Sequence, residues 1–420
     1  MDSTKRIEIR DPIYDFIKIS ELEREIIDSP AFQRLRRIQQ LALTSMAYPG
    51  AVHTRFEHSL GTMHLAGLMF EAITDDENNI ELLKNSLRYN EQDLEKDRQL
   101  IRIAALLHDI GHAPFSHAAE ELMPANKKTG KPFDHEDYTV AIIRGPLRDV
   151  LKDSEFNESK VDVAEVAELF EGIGERAFWK VIIKSQLDAD RGDFLLRDSH
   201  HIGVKYGVYD YSRLLNTLTL GTDPETDLPM LGIKEDGLRV AESFIIARYL
   251  MYTQVAFHKT RRAYDYHLAK AMKEIIPNGE LPPPEDIQAF LGYDDFTVLS
   301  EINDKKDSCE HCKAIFEREH VRCIYSREIR NRRDIRSFEA IKKLLQRQNI
   351  WFYQDEVKKS WYEMNDPIMI FSDEPNAKKT ARPLSERSKI VKNIEFIKKW
   401  RLYVKPKDKE RANDAIRKGR

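Results

Sequence analysis

A chain of 420 residues, 41% hydrophobic and 33% charged, is long enough for one large buried core and a smaller second unit. No apolar run approaches the roughly 20 residues that cross a bilayer, and the N-terminal MDSTKRIEIRDPIYDF has no apolar secretory stretch; the expectation is a cytoplasmic protein without a membrane partner. The net charge of −4 hides an imbalance, since residues 376–420 hold sixteen Lys/Arg against five Asp/Glu, a local +11 that leaves about −15 for the rest. That basic segment either docks on the acidic body or meets a phosphate-rich partner, a nucleotide or a single-stranded nucleic acid.

In chain order, helical periodicity governs the first 275 residues. Leu22, Ile26, Ile27, Phe32, Leu35, Ile38 and Leu41 recur every three or four positions, and Pro30 divides this stretch into two helices, the second capped by Asp28 or Ser29. SLGTMHLAGLMFEAI and QLIRIAALLHDI read as buried helices on either side of a charged stretch, Asp75 to Asp97. ESFIIARYLMYTQVAFHKTRRAYDYHLAKAMKEII, free of Gly and Pro, predicts one long unbroken helix. PNGELPPPED, residues 277–286, ends this part. Beyond it HVRCIYSREI and KKWRLYVKP alternate like strands, while SFEAIKKLLQRQ and ERANDAIRK read as helices. The predicted fold is mainly α: a helical core over residues 1–276, then a smaller α+β region over 287–420 that ends in the basic tail.

Four of the thirteen histidines fall in HTRFEHSLG (His53 to Gly61) and LLHDIGH (Leu106 to His112). Neighbouring helical residues point about 100° apart, so His108 and Asp109 reach one ion only where the helix is ending; Gly111 is the expected terminator. An imidazole and a carboxylate together suit a divalent ion such as Mn, Fe, Zn or Mg. The apolar IAALL draws His108 inward, where an unpartnered polar pair would cost several kcal/mol, and His112, His117 and His135 follow closely.

The ordered set His58, His108-Asp109 and Asp190, within YPGAVHTRFEHSLG, LLHDIGHAPFSH and DADRGDFLLRDSHHIGV, resembles the signature of the HD-domain metal-dependent phosphohydrolases. The segments DPI, SPAFQRLRRIQQL and DHE extend the likeness to the deoxynucleoside triphosphate triphosphohydrolase branch over roughly residues 7–270. The resemblance implies an HD-domain helical core with His58, His108, Asp109 and Asp190 as metal ligands, and an additional Mg arriving with the substrate. It implies that His112, His117 and His135 line the catalytic pocket with Asp190, His117 donating a proton to the leaving oxygen and His112 touching phosphate. Arg55 and Arg248 would contact phosphates, Gln40 and Leu41 the sugar, excluding a 2′-hydroxyl, and Phe194 and Asp198 would stand beside the substrate. Asp28, Gln33, Arg36 and Lys259 match a regulatory pocket for GTP or dGTP in tetrameric relatives, so a homotetramer or dimer of dimers is implied.

Departures from the pattern touch the nucleoside side. Phe194 and Ala256 stand where the family has tyrosine, and Phe257 where the animal enzyme has glutamine. That leaves a pocket wall expected to be wider and less polar. Cys309, Cys312, His320 and Cys323 form C-x2-C-x7-H-x2-C, a spacing open to zinc or to ordinary packing. Three functions remain open at this point: hydrolysis of dNTPs to deoxynucleoside and triphosphate, an HD-type nucleotide phosphodiesterase or single-strand nuclease, and a non-enzymatic nucleotide sensor.

Overall fold

The computed structural model describes residues 7–87, 90–174, 176–223, 226–372, 381–394 and 396–418, with the side chains of Glu91, Gln92 and His117 outside that description. The chain is mainly α-helical, with small sheets concentrated toward the C-terminal part. It opens on an antiparallel hairpin, Ile7–Asp11 against Asp15–Ile19. The helix Glu21–Asp28 follows, closed by a reciprocal capping box of Ser20 and Glu23. Ser29 rather than Asp28 caps the next turn, its hydroxyl accepting from the Phe32 N–H at 3.3 Å.

Two buried helices form the centre. Arg55–Thr74 is apolar on nearly every face, with Phe56, Leu60, Met63, Ala66 and Phe70 all in the core. It packs along Glu91–Leu107 and is crossed by Ala189–Ile202. Gly61 permits that crossing: a Cβ there would lie 2.0 Å from Asp193 Oδ1 and 2.1 Å from Arg197 Nη2. Gly111 has a similar task, not the predicted one. The helix already ends at Leu107 and Gly111 has no left-handed φ. What requires glycine is close approach, since a Cβ would sit 2.2 Å from the His135 carbonyl oxygen and 2.4 Å from Thr139 N.

The long helix predicted over residues 242–276 is interrupted. Leu238–Met251 passes into a π-helical turn, Tyr252–Ala256, and a new helix, Lys259–Ile275, starts under the His258 cap. No Gly or Pro is needed for the break, because other groups take over the freed carbonyls: Arg261 Nη1 donates to Ala256 O at 2.6 Å and Arg401 to Phe257 O.

A second hydrophobic cluster runs across the 277–286 punctuation. It joins Leu43, Phe115 and Tyr138 to Leu268, Met272, Phe290, Ile302 and Ile315. Strand Met369–Phe371 also returns to the helical core, pairing in parallel with Pro229–Lys234. Further on, Ile397–Val404 is the centre of an antiparallel sheet between Arg322–Glu328 and Tyr353–Lys359. Trp400, Leu402 and Val404 pack against the helices Arg332–Arg347 and Lys409–Lys418 through Phe338, Leu345, Ala412 and Ile416, while Tyr403 on the opposite face meets Ala263.

Asp295 ties the parts together. This fully buried side chain accepts the N–H groups of Gln39 and Phe115, each at 2.8 Å. Burial pushes its carboxyl up to about 7, against the pull of those two donors and of Arg34 and Arg55. The folded state thus holds this proton more tightly than the unfolded chain, whose carboxyl titrates near ~3.9. The group's contribution to stability is therefore greatest in acid and is lost as pH rises from about 4 to about 7. Asp295→Ala orphans two buried N–H groups and is expected to lose on the order of 2–5 kcal/mol in urea denaturation near pH 5, with a smaller loss at pH 8. Equal stability of variant and wild type at both pH values would contradict this account.

Candidate active site

Each side chain of the site is delivered by a helix end. Thr54 begins the Arg55–Thr74 helix in a capping box with Glu57, putting Arg55 in its first turn and His58 one step behind on the same face. Leu107 ends another helix, so His108 and Asp109 lie in the turn beyond it. Asp188 caps Ala189–Ile202 by accepting from the Arg191 N–H at 2.7 Å, which sets Asp190 in the first turn.

The three termini converge. His58 Nε2 is 3.2 Å from Asp190 Oδ1, and His108 Nε2 is 3.7 Å from the same oxygen. Among the described residues, His58, His108 and Asp190 form the group whose ligand atoms all lie within 4.8 Å of one another. The donor chemistry fits a divalent metal. His108 donates from Nδ1 to the Ala105 carbonyl at 2.8 Å, which leaves its buried Nε2 with a lone pair and no hydrogen-bond partner. His58 offers Nδ1 to Asp193 Oδ2 at 2.7 Å, so its Nε2 also faces the cluster.

Asp109 lies alongside this group rather than within it. It is ion-paired with Arg55 and has His112 Nε2 at 3.1 Å, His108 Nε2 at 3.3 Å and His58 Nε2 at 3.6 Å. Burial alone would raise its carboxyl, but Arg55 and the two nearby imidazoles hold it well below the usual range. Asp190 is likewise held low, its burial outweighed by His108 and His58. Burial, reinforced by Arg55, pushes the His112 imidazole well below its ordinary value, and burial lowers His135 too; the rings stack at 4.3 Å. Two neutral imidazoles therefore border the cluster. The side chain of His117 lies outside the described residues.

Two adjoining cavities open here. One of about 290 Å³ holds His108, Asp109, His112, His135 and Asp190 and is lined by the cations Arg55, Lys180, Lys184, Arg191, Arg248 and Lys359. The other, of about 160 Å³, shares Gln40, Arg55, Phe194 and Tyr252 with the first and continues past Leu41, Asp198, Met251, Ala256 and Arg261. Asp198 is fixed by His53, whose Nε2 lies 2.8 Å from Oδ1. The second cavity is not short of polar groups: Tyr252 supplies a phenol from the π-helical turn, and Arg261 a cation from the first turn of the helix that follows it. Asp28, Gln33 and Arg36 lie apart from both cavities. Arg36 donates to Gln33 Oε1 at 2.9 Å and covers the Phe56 ring at 3.5 Å, while Asp28 is exposed. Lys259 borders a separate 180 Å³ cavity with His320, Arg322 and Lys409.

The cysteine set does not gather. Cys309 accepts the Cys312 N–H at 3.1 Å as a helix cap, Cys323 lies in a strand directed at Tyr325 O, and the His320 ring packs on Tyr264. No metal-spaced group includes them among the described residues. Sequence reasoning also overlooked Asp193, His53, Tyr252, Lys180, Lys184 and Arg191. Two of these left a signal to which no role was attached: Asp193, one helical turn from Asp190 in DADRGDF, and His53, at the start of HTRFEHSLG.

A helical core that brings two imidazoles and a carboxylate to one point, beside a cation-lined cleft, defines an HD-type protein able to hold a divalent metal next to an anion. Comparison with known proteins agrees. The model for the HD domain matches residues 55–181, and that for the HD associated region matches residues 209–357. The crystal structure of a hypothetical protein from Aquifex aeolicus superposes with a TM-score of 0.79 at 32% identity, covering 98% of this chain and 100% of that one. An uncharacterized protein of Methanocaldococcus jannaschii is 35% identical over 292 residues, 70% of this chain and 54% of its own. The deoxynucleoside triphosphate triphosphohydrolase SAMHD1 homolog of Dictyostelium discoideum is 28% identical over 324 residues, 76% of this chain and 59% of its own. This chain belongs to the HD-domain phosphohydrolase family. It spans about half the length of the curated relatives it matches. Among the described residues no helix is long and apolar enough to cross a membrane.

Because Asp193 orients His58, Asp193→Asn is expected to weaken Mn²⁺ binding by roughly 10- to 100-fold, measured by titration with circular dichroism as the check on folding. Full Mn²⁺ affinity in a folded Asp193→Asn protein would remove Asp193 from the site.

Proposed function

We propose that this chain is a metal-dependent phosphohydrolase that cleaves deoxynucleoside triphosphates to deoxynucleoside and triphosphate. The observation that carries this reading is the pair of joined cavities, one cation-lined around the ligand cluster and one half-apolar, suited in that order to a phosphate chain and a nucleoside. The likeness to the deoxynucleoside triphosphate triphosphohydrolase SAMHD1 homolog of Dictyostelium discoideum supports the same substrate class.

His58, His108 and Asp190 would hold the metal with Asp109 as a fourth ligand. A divalent ion bound there, Mn, Fe, Zn or Mg, supplies Lewis-acid neutralisation of phosphate charge; an additional Mg accompanies the substrate. Arg55, Arg191 and Arg248 bind phosphate oxygens from the cleft wall. Neutral His112, stacked on His135, offers a ring nitrogen to the phosphate being attacked without adding like charge beside Arg55. His117 is the proposed donor of a proton to the leaving oxygen. In the second cavity Gln40 and Leu41 pack against the deoxyribose, Phe194 stacks beside it, and Asp198, steadied by His53, accepts from a sugar hydroxyl.

Product chromatography on the four dNTPs, the four NTPs and oligonucleotides, with Mg and Mn supplied separately, tests this reading. The expected result is triphosphate release from several dNTPs at comparable rates, with ribonucleotides disfavoured and Ala256→Tyr sharpening that preference by at most ~1–3 kcal/mol. The basic segment 376–420 favours a second reading, a nucleotide phosphodiesterase or single-strand nuclease. Cleavage of oligonucleotides with no reaction of any triphosphate would establish it instead. Tight nucleotide binding without turnover of anything in the panel would mean a sensor.

The same proposal includes a cytoplasmic location and control by assembly. Asp28, Gln33 and Arg36, of which the last two are hydrogen-bonded to each other, would read a guanine nucleotide, GTP or dGTP, with Lys259 contacting phosphate of a regulatory nucleotide, in a homotetramer or dimer of dimers. A ligand held between subunits stabilises the assembly by linkage, so size and activity rise together. Sedimentation with and without GTP and dGTP is expected to show that shift. Identical size at identical activity would refute the coupling.

A further inference from the structure

Within the cation-lined cleft, one lysine comes from outside the helical core. Lys359 is the last residue of strand Tyr353–Lys359, at the edge of the C-terminal sheet, and it lines the cleft together with Arg191 and Arg248. Strand alternation separates it from its neighbour: the Lys358 ammonium lies over Phe396, 5.2 Å from the ring centroid, while that of Lys359 lies 5.3 Å from the centroid of Tyr252 in the π-helical turn.

The charges around it do not balance. Of the three cations, Arg191 is paired with Asp188. Arg248 is 1% exposed, donates Nη1 to the Trp361 carbonyl at 3.2 Å, and keeps a buried Nε with no hydrogen-bond partner. Lys359 has no ion pair among the described residues, and burial next to Arg248 and Arg191 lowers its ammonium below the ordinary value. Glu363 and Glu120 offset this only in part, and the carboxylates that line the cleft are taken up elsewhere, Asp109 by Arg55, Asp190 by His58 and Glu136 by Lys184; like charges converging there, with a buried donor left over, cost stability unless an anion joins them. A chain of phosphates supplies several oxygens at the required spacing. All three cations line the cleft, and none of them lines the second cavity, where a nucleoside would lie.

We propose that Lys359 is a phosphate-binding residue that contacts the distal phosphates of the substrate alongside Arg191 and Arg248. The assignment rests on the phosphohydrolase reading above and adds to it a residue more than 160 positions from Asp190 in sequence. The segment 359–361 then has two tasks, presenting the Lys359 ammonium and steadying Arg248 through the Trp361 carbonyl. A bound polyphosphate consequently bridges the helical core and the C-terminal sheet.

The test is calorimetric titration of sodium triphosphate into the Mn²⁺-loaded full chain, for wild type, Lys359→Met and Lys359→Arg, alongside dNTP kinetics and unliganded melting curves. Methionine keeps the length and apolar stem, so the melting temperature should change little. Lys359→Met is expected to weaken triphosphate binding by about 10- to 100-fold, the scale of a charge-assisted hydrogen bond, and to raise KM for dNTPs more than it lowers kcat. Lys359→Arg should return affinity to within a few-fold of wild type. Unchanged affinity in Lys359→Met overturns the assignment, and so does a loss that arginine does not rescue. Wild type that binds no triphosphate overturns the assignment and the functional reading together. Loss of triphosphate affinity in Lys359→Met, in a protein that cleaves no dNTP, supports Lys359 while removing the nucleotide substrate.

Discussion

A buried row of alternating charges holds this molecule in register. His58 faces Asp193 at 2.7 Å, Asp193 receives Arg197 through two hydrogen bonds of 2.8 and 2.9 Å, and Arg197 reaches Asp11 at 2.8 Å. All four residues are buried. Removing one member of such a row leaves an uncompensated interior charge, on the order of 3–5 kcal/mol. The row therefore docks the N-terminal hairpin, the Arg55–Thr74 helix and the Ala189–Ile202 helix in one arrangement, and Gly61 must lack a side chain for it to form. The same contacts set the tautomer of His58. Folding and preparation of a ligand atom are one event here, because Asp193 cannot pair with Arg197 and His58 unless both helices are seated.

Beyond that row the site sorts its charges by distance from the cluster. Carboxylates gather at the converging helix ends, where Asp109 and Asp190 are kept ionised by the groups around them. Cations occupy the cleft walls, and neutral His112 and His135 stand between. Had those rings been charged, Arg55 would face two more cations at close range in a low-dielectric pocket, and burial opposes that outcome. The result is a gradient suited to a ligand that is strongly anionic at one end and half-apolar at the other.

Much of this is legible in the sequence, and the exceptions have physical reasons. The apolar run IAALL makes His108-Asp109 readable as a buried polar pair in need of a partner, whereas His58 and Asp190 are legible only through the resemblance of the ordered motifs. The helical core and the strand pattern of residues 322–328 and 397–404 follow from hydrophobic period alone. Gly111 misleads, because a glycine needed for close approach looks the same in sequence as one needed to end a helix. Asp295 and Lys359 carry no local signal at all: each acts where it does through tertiary packing, one from a short helix after the proline-rich stretch and one from a sheet edge. Tyr252 escapes for a different reason. In a stretch that reads as one continuous buried helix its phenol looks like ordinary core filler, and the π turn that carries it to the cavity wall has no Gly or Pro to announce it.

That break also explains why a helical core needs its C-terminal region. A helix of ordinary period from Leu238 to Ile275 would satisfy its own backbone and require no help. The π turn frees carbonyls at Ala256 and Phe257, and the groups that take them up come from Arg261 and from Arg401 of the central C-terminal strand. Arg401 is itself buried against Asp355, which also receives Arg262 at 2.7 Å, so the bend is clamped from both sides. A turn that places Tyr252, Ala256 and Arg261 along the second cavity is thus maintained by residues more than 90 positions away. The sheet keeps open the irregular piece of helix on which the pocket is built, and the cost of that irregularity is met both by Arg261 in the pocket wall and at the Arg401–Asp355–Arg262 junction outside it.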